Sequence, residues 1–340
     1  MTMNKSILLT ALCALILVPG LISCERLLVG RDAPDGPEAN FEHLWEDLHE
    51  RYSYFELKEI DWYEVEDRYR GQIHDDMSEI ELFDLLAEVL FELRDGHVNL
   101  RSSFNRSRNW EYFQDFPLDY NQGIIDRNYL ERDFWITGPV RSQIIDSVLY
   151  VNYRSFADGI SEAHVDSLME RAQGLRGVII DVRNNGGGAL NNARRLAAAF
   201  TEESYVYGEE RIKDGSCPDC FSSWTDLTVP SRSGPKFLGQ VVVLTDRASY
   251  STTTYFAEMM RQNPNATLIG SQTGGGGGTP AYGELPNGWV YRFSATQSLN
   301  VDGEHFEIGI PVDVEVHLDP DDEREGVDTI IEHALSLFGE

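Results

Sequence analysis

Gly177-Val178-Ile179-Ile180-Asp181-Val182-Arg183-Asn184-Asn185-Gly186-Gly187-Gly188 reads as a strand that ends in a polar, glycine-rich turn. Its apolar residues run on without alternation, the pattern of a strand covered on both faces. Glycines let a backbone approach a ligand closely, and a helix predicted over about 189–200 would point its N-terminus at bound negative charge. The same order of elements recurs downstream. Gln240-Val241-Val242-Val243-Leu244 is a second buried strand, followed by Asp246-Arg247-Ala248-Ser249-Tyr250-Ser251-Thr252 and a helix over about 250–261. Thr267-Leu268-Ile269-Gly270 is a third, and Val148-Leu149-Tyr150-Val151 a short one ahead of them. Repeated strand–helix–strand units imply a parallel or mixed sheet covered by helices, an α/β fold. A last helix is predicted over about 327–338.

Upstream, the period changes from strand to helix. Phe41, Leu44, Trp45, Leu48 and Tyr52 share one helical face, and Trp62, Val65, Tyr69 and Ile73 share another. Ser78 and Glu81 form a capping-box pattern before Leu82, Leu85, Leu86, Val89, Leu90 and Leu93. That helix is expected to stop at Gly96. Residues 40–96 therefore read as a small helical unit that delivers Asp95-Gly96-His97, and 97–340 as the core. Within the core, the polar segment at about 203–236 reads as an excursion or lid.

The beginning of the chain carries a compartment signal. Lys5 precedes an apolar run from Ile7 to Ile22, and Leu21-Ile22-Ser23-Cys24 closes it. The run fits a signal peptide over 1–23, and its ending resembles a bacterial lipobox, with Cys24 acylated. Residues 24–39 would then be a lipidated tether, with the protein outside the cytoplasm on a bacterial membrane. The formal net charge of -29 argues against nucleic acid, which needs a basic surface. Cys217 and Cys220 can close a small disulfide loop in an oxidising compartment; free thiols or a redox pair are the alternatives. A zinc site needs about four ligands, and no second Cys or His pair lies nearby, so no metal or cofactor is expected.

Acyl transfer needs a nucleophile, a base, a group that orients the base, and donors for an oxyanion. A serine at a strand-to-helix turn is exposed, and the N–H after it faces a bound oxyanion. Ser249 and Ser251 both qualify on local grounds, and both could instead cap the helix. His97 alone reads as a structural histidine, and Glu307 alone says little.

Taken in order, Leu93–His97, Ile180–Gly188, Leu244–Ser251, Ile269–Gly276 and Glu307–Asp313 resemble the motifs of the C-terminal processing peptidase and tricorn core family. The resemblance covers roughly 40–340. It implies a crotonase-like (ClpP/crotonase-type) sheet-and-helix core and a serine endopeptidase acting through an acyl-enzyme. It places the nucleophile on Ser251, the base on His97 and the orienting carboxylate on Glu307. Its oxyanion hole maps onto the 186–188 turn, with Gly187 and Gly188 the candidates, and onto Thr252. The Ser–Lys dyad of some members is excluded, because the lysine position is Gly276 and no Lys follows Ser251. The serine that precedes the histidine in the family is Gly96 here. The 84 residues from His97 to Asp181 show no PDZ-type loop, so that domain is expected to be absent. The implied partner is a peptide or unfolded protein; a non-catalytic binding protein on the same fold, or a serine esterase, are the alternatives.

Overall fold

The computed structural model describes residues 35–108, 116–215, 217 and 219–339. The signal-peptide and lipidation reading, Cys24 included, lies outside the described residues. Three helices open the described chain: α1 (Pro37–Arg51), α2 (Trp62–Arg70) and α3 (Glu79–Phe91). α1 begins inside the segment expected to be tether, because Pro37 in the first turn is preset for a helix and loses no bond there. Asp61 caps α2 by accepting from the Tyr63 and Glu64 N–H groups, and Ser78 and Glu81 form the expected capping box on α3. α3 stops at Phe91 rather than at Gly96. Arg94 takes a φ of +46°, and the turn it makes swings Asp95-Gly96-His97 back toward the core.

The helical unit is not free-standing. Phe41, Leu44, Leu48, Leu86 and Leu90 pack with Tyr291 and Phe293 in one core. Those two aromatics belong to β11 (Val290–Ser294), the centre of a three-stranded antiparallel sheet ordered β1-β11-β10, with β1 Asn99–Arg101 and β10 Pro280–Glu284.

The main sheet has seven strands, ordered β13-β9-β8-β5-β4-β3-β2. β4 (Val148–Asn152), β5 (Gly177–Asp181), β8 (Gln240–Thr245), β9 (Ala266–Gly270) and β13 (Val314–Glu315) run parallel, while β2 (Trp135–Thr137) and β3 (Val140–Ile145) add an antiparallel edge. Its strands bury both faces, as the unbroken apolar runs require. Leu149, Val151, Val178, Ile180, Val241 and Val243 meet α4 (Glu162–Ala172), α5 (Leu190–Ala197) and α6 (Thr252–Arg261). Tyr150, Ile179, Val242 and Leu244 meet Ile330, Ile331 and Ala334 of α8 (Thr329–Ser336), which follows the short α7 (Pro320–Glu325).

The 203–236 segment is more regular than an excursion. β6 (Tyr205–Ile212) and β7 (Thr225–Val229) form a hairpin that pairs with β12 (Thr296–Asn300), and a Cys217–Cys220 disulfide lies between its strands. Between His97 and Asp181, β1 to β4 and α4 all belong to the sheets and layers just given. Among the described residues nothing there forms a separate domain.

One buried ionic cluster ties the sheet to its last helix. Arg183 donates from Nε and Nη2 to both Asp181 oxygens (3.0 and 2.7 Å) and from Nη1 and Nη2 to both Asp328 oxygens (3.1 and 3.0 Å). All three side chains are fully buried, and Asp328 also caps α8. Asp328→Ala should therefore lower stability by about 3–5 kcal/mol, because it strands half of a buried guanidinium. Urea unfolding of wild type and variant measures it; a loss below about 1 kcal/mol would show that the cluster is not what fastens α8.

Candidate active site

β5 and β8 are neighbours in parallel register, with Asp181 opposite Leu244, so their carboxyl ends open side by side. The turns that leave them are fastened together. Asn184 N–H donates to both Asp246 carboxylate oxygens (2.9 and 3.0 Å), and Tyr250 N–H donates to the Asn185 carbonyl (3.0 Å). The fully buried Ser249 hydroxyl donates to the Val182 carbonyl (2.8 Å), within reach of Asp246 Oδ1 as well. Ser249 is thus a structural cross-link, and of the two candidate serines only Ser251 reaches the site.

Ser251 sits immediately before α6 with φ +58° and ψ -122°, an elbow rare for a residue with a side chain. Its N–H donates to the Gly275 carbonyl (2.8 Å). Its hydroxyl lies 3.0 Å from His97 Nε2. Two residues 154 positions apart in the chain are therefore in hydrogen-bond contact.

Glu307 makes no hydrogen bond to that histidine among the described residues, which corrects the expected contact. Its carboxylate accepts from Lys58 Nζ (2.6 Å) and from Gly277 N–H (3.0 Å), inside the protein. The other ring nitrogen, His97 Nδ1, faces Ser294 Oγ at 3.5 Å. Ser294, the last residue of β11, also bonds the Asp95 carboxylate, whose Oδ1 takes the His97 backbone N–H (2.8 Å). A hydroxyl missing at Gly96 is thus supplied from another strand. Lys58 Nζ stands 3.8 Å from Asp95 Oδ2, so one ammonium serves two buried carboxylates. Sequence reasoning missed Lys58 and Ser294. The only signal for Lys58 was scarcity, since the chain has four lysines; Ser294 had none.

The expected oxyanion donors divide. Gly187 N–H is taken by Asn185 Oδ1 (3.0 Å), which removes Gly187 from the set. Among the described residues the Gly188 and Thr252 N–H groups have no acceptor, whereas the next N–H groups of α6, those of Thr253 and Thr254, bond the Tyr250 and Ser251 carbonyls (3.1 and 2.8 Å). Gly187 contributes by its smallness: at φ +92°, a Cβ would stand 2.8 Å from Thr252 N and 2.9 Å from Ser251 Cβ. Gly276, where dyad enzymes place lysine, has φ +77°, and a Cβ there would meet the Tyr250 ring at 2.4 Å. That ring packs on His97 (centroids 4.9 Å apart) and fills the space such a lysine would need.

Electrostatics follow from burial. Burial lowers the His97 pKa to about 4; Asp95 pulls upward, and Arg292 and Lys58 push further down. Burial also acts to raise Asp95, but Lys58, His97 and the hydrogen bonds it accepts hold it below the usual carboxylate range. Glu307 is pushed up to about 7 by burial and by Asp95, against the pull of Lys58. Ser251 and His97 open into a cavity of about 760 Å³, lined also by Gly186–Gly188, Tyr250, Arg247 and Arg292. None of the described residues of 203–236 lines it.

Known proteins resemble this chain in sequence and fold. Residues 147–316, half of the chain, match the model of peptidase family S41, and residues 34–91 match the tricorn protease C1 domain. A solved structure from Parabacteroides merdae, described as a candidate peptidase, is 40% identical and superposes with a TM-score of 0.86, covering 90% of this chain and 97% of that one. A CtpA-like serine protease assigned in Staphylococcus haemolyticus is 25% identical over 146 residues, 43% of this chain but 27% of that relative's length. The carboxyl-terminal-processing protease of a Picosynechococcus strain is 28% identical over 145 residues, 42% of this chain and 32% of its own length. The fold is that of a serine peptidase core. The chain belongs to peptidase family S41.

An imidazole can act as a base only while neutral, and the depressed pKa keeps His97 neutral further into acid. The rate at which a fluorophosphonate labels the protein should therefore hold through about pH 6.5, the ordinary histidine value, and fall only as pH approaches about 4. A midpoint at that ordinary value, measured by labelling rate against pH, would show that the ring is solvated in the working enzyme.

Proposed function

We propose that this protein hydrolyses peptide bonds through an acyl-enzyme on Ser251, with His97 as general base and then general acid. The observation that carries the reading is the 3.0 Å contact of His97 Nε2 with the hydroxyl of a serine held on a strained elbow at a cavity floor. His97 takes the hydroxyl proton as Oγ attacks the carbonyl carbon. The oxyanion forms opposite the Thr252 N–H, with Gly188 as second donor. The C–N bond then breaks as His97 returns the proton to the leaving amine. Water, deprotonated by the same nitrogen, hydrolyses the ester and frees Ser251. Ser294 accepts from Nδ1–H and so fixes the tautomer, with Asp95 behind it. Glu307 and Lys58 act at one remove: Glu307 holds Gly277, in the glycine run whose Gly275 carbonyl fixes the Ser251 N–H.

Ser251→Ala should abolish fluorophosphonate labelling and peptide hydrolysis while the protein stays folded by circular dichroism. Ser294→Ala should reduce kcat by about 3- to 10-fold, the effect of one neutral hydrogen bond. Labelling that survives Ser251→Ala would overturn the assignment of the nucleophile, and an unchanged kcat in Ser294→Ala would overturn the role of that hydroxyl.

The same proposal includes a place. The Lys5 to Cys24 segment supports secretion and acylation at Cys24, and the Cys217–Cys220 disulfide suits an oxidising compartment. In a bacterial host fed an alkyne fatty acid, the wild-type chain should take up label in the membrane fraction and Cys24→Ala should not. Equal labelling of the two would remove the anchor.

A further inference from the structure

Acidic residues outnumber basic ones by 57 to 28, so an average surface hollow on this protein should be acidic. The hollow beside the catalytic cavity is the reverse. It encloses about 430 Å³ and is lined by Arg101, Arg106 and Arg292, with no Asp or Glu in its wall among the described residues. It adjoins the catalytic cavity, and Asn99, Arg106 and Arg292 line both.

Three features mark the arginines as unsatisfied among the described residues. None of them makes an ion pair among the described residues, in a chain rich in carboxylates. Arg292 Nε is buried with no hydrogen-bond partner, an arrangement that is costly unless a ligand completes it. Arg101 and Arg106 stand directly opposite each other in an antiparallel bridge, where like charges repel. Position then says which part of a substrate would meet them. Arg292 and Ser294 alternate on β11 and so share a face, and Ser294 is the residue at His97 Nδ1. Arg292 lies opposite Asn99 in the ladder, and Arg101 is two residues further from the histidine. Two residues of extended strand span about 7 Å, so the arginines lead away from His97 by about one to three substrate residues. His97 gives its proton to the leaving amine, and the leaving half of the peptide therefore lies on this side.

Resting on the serine peptidase reading, we propose that Arg292 and Arg106, with Arg101 beyond them, form a subsite for a carboxylate on the leaving half of the substrate. That carboxylate is an acidic side chain or the terminal carboxylate, and a guanidinium pairs with either in the same bidentate way. The protein thereby selects anionic leaving fragments although its overall charge repels them.

Four peptides with one acyl half test this. Their leaving halves carry Glu or Gln and end in a carboxylate or an amide. Wild type should cleave at least one anionic peptide with a kcat/KM about 10-fold or more above the Gln amide, and high salt should shrink that ratio. The ratio should fall toward one in Arg292→Gln and in the exposed-site variant Arg106→Gln, and recover in part in Arg292→Lys. Whether Glu or the free terminus carries the preference tells the two sources apart. Equal cleavage of all four by wild type, or a preference that survives both Gln variants, overturns the subsite. Binding of the same labelled peptides to Ser251→Ala, read by fluorescence anisotropy, separates the two levels. A carboxylate preference there that Arg292→Gln abolishes, without any cleavage by wild type, keeps the subsite and removes the peptidase reading; no preference removes the subsite.

Discussion

Two parallel strands that end side by side are the constraint on which the site depends. β5 and β8 deliver a glycine turn and a serine elbow to the same edge of the sheet. Neither turn is stable in its conformation alone. Ser251 occupies a backbone region that costs on the order of 1–3 kcal/mol. It is kept there because its neighbours are fastened on every side: Tyr250 to Asn185, Ser249 to Val182, Asp246 to Asn184, and Ser251 itself to Gly275. The Gly275 carbonyl also takes the Thr254 hydroxyl, so the elbow and the first turn of its helix share one anchor. Asn185 completes the set by reaching Tyr153 and Gly187 with its amide. Strain at the nucleophile is thus matched by bonds distributed over three loops.

Charge is handled by local compensation rather than by the overall balance. The molecule is strongly acidic, yet the groups that face His97 include Lys58 and Arg292, both of which favour a neutral ring. Lys58 lies between Asp95 and Glu307, so the buried cluster holds two carboxylates and one ammonium. With Asp95 held ionised, Glu307 becomes the member whose proton is loosest near neutrality. Asp95 accepts the backbone N–H of His97 and Ser294 faces its ring, while Glu307 accepts from Gly277 in the glycine run.

Sequence legibility followed the reach of each physical signal. The buried strands were plain because an unbroken apolar run of strand length, bounded by turn residues, suits a strand covered on both faces. Gly177–Asp181 and Gln240–Thr245 emerged close to their expected limits. The α3 cap was plain because the capping box is local. The end of α3 was not, since Arg94 adopts a positive φ that nothing in its side chain announces. The 203–236 segment looked irregular because its strands mix charges and hydroxyls, and its partner β12 lies far along the chain. Within the site, Ser251 and His97 could be paired only through the ordered motifs, for no local rule links residues so distant. Glu307 was reached only through the resemblance, as the carboxylate on His97, and its hydrogen bonds go instead to Lys58 and Gly277. A motif records that a carboxylate is present, while its hydrogen bonds depend on a lysine in a loop of the helical unit.

That last case shows where position replaces identity. A catalytic imidazole requires an acceptor at its second nitrogen, and the requirement is geometric. In this chain the residue before the histidine is Gly96, which has no side chain to offer. Ser294 stands there instead, carried by a strand that the helical unit packs against. The substitution works only because β1, which follows His97 directly, pairs with β11 in a fixed register. The same register sets Arg292 opposite Asn99, beside the leaving-group path. One strand pairing therefore fixes both the acceptor for the base and the charge that meets the departing fragment, and the N-terminal helices, by burying the other face of that sheet, become part of the active site without touching the reacting atoms.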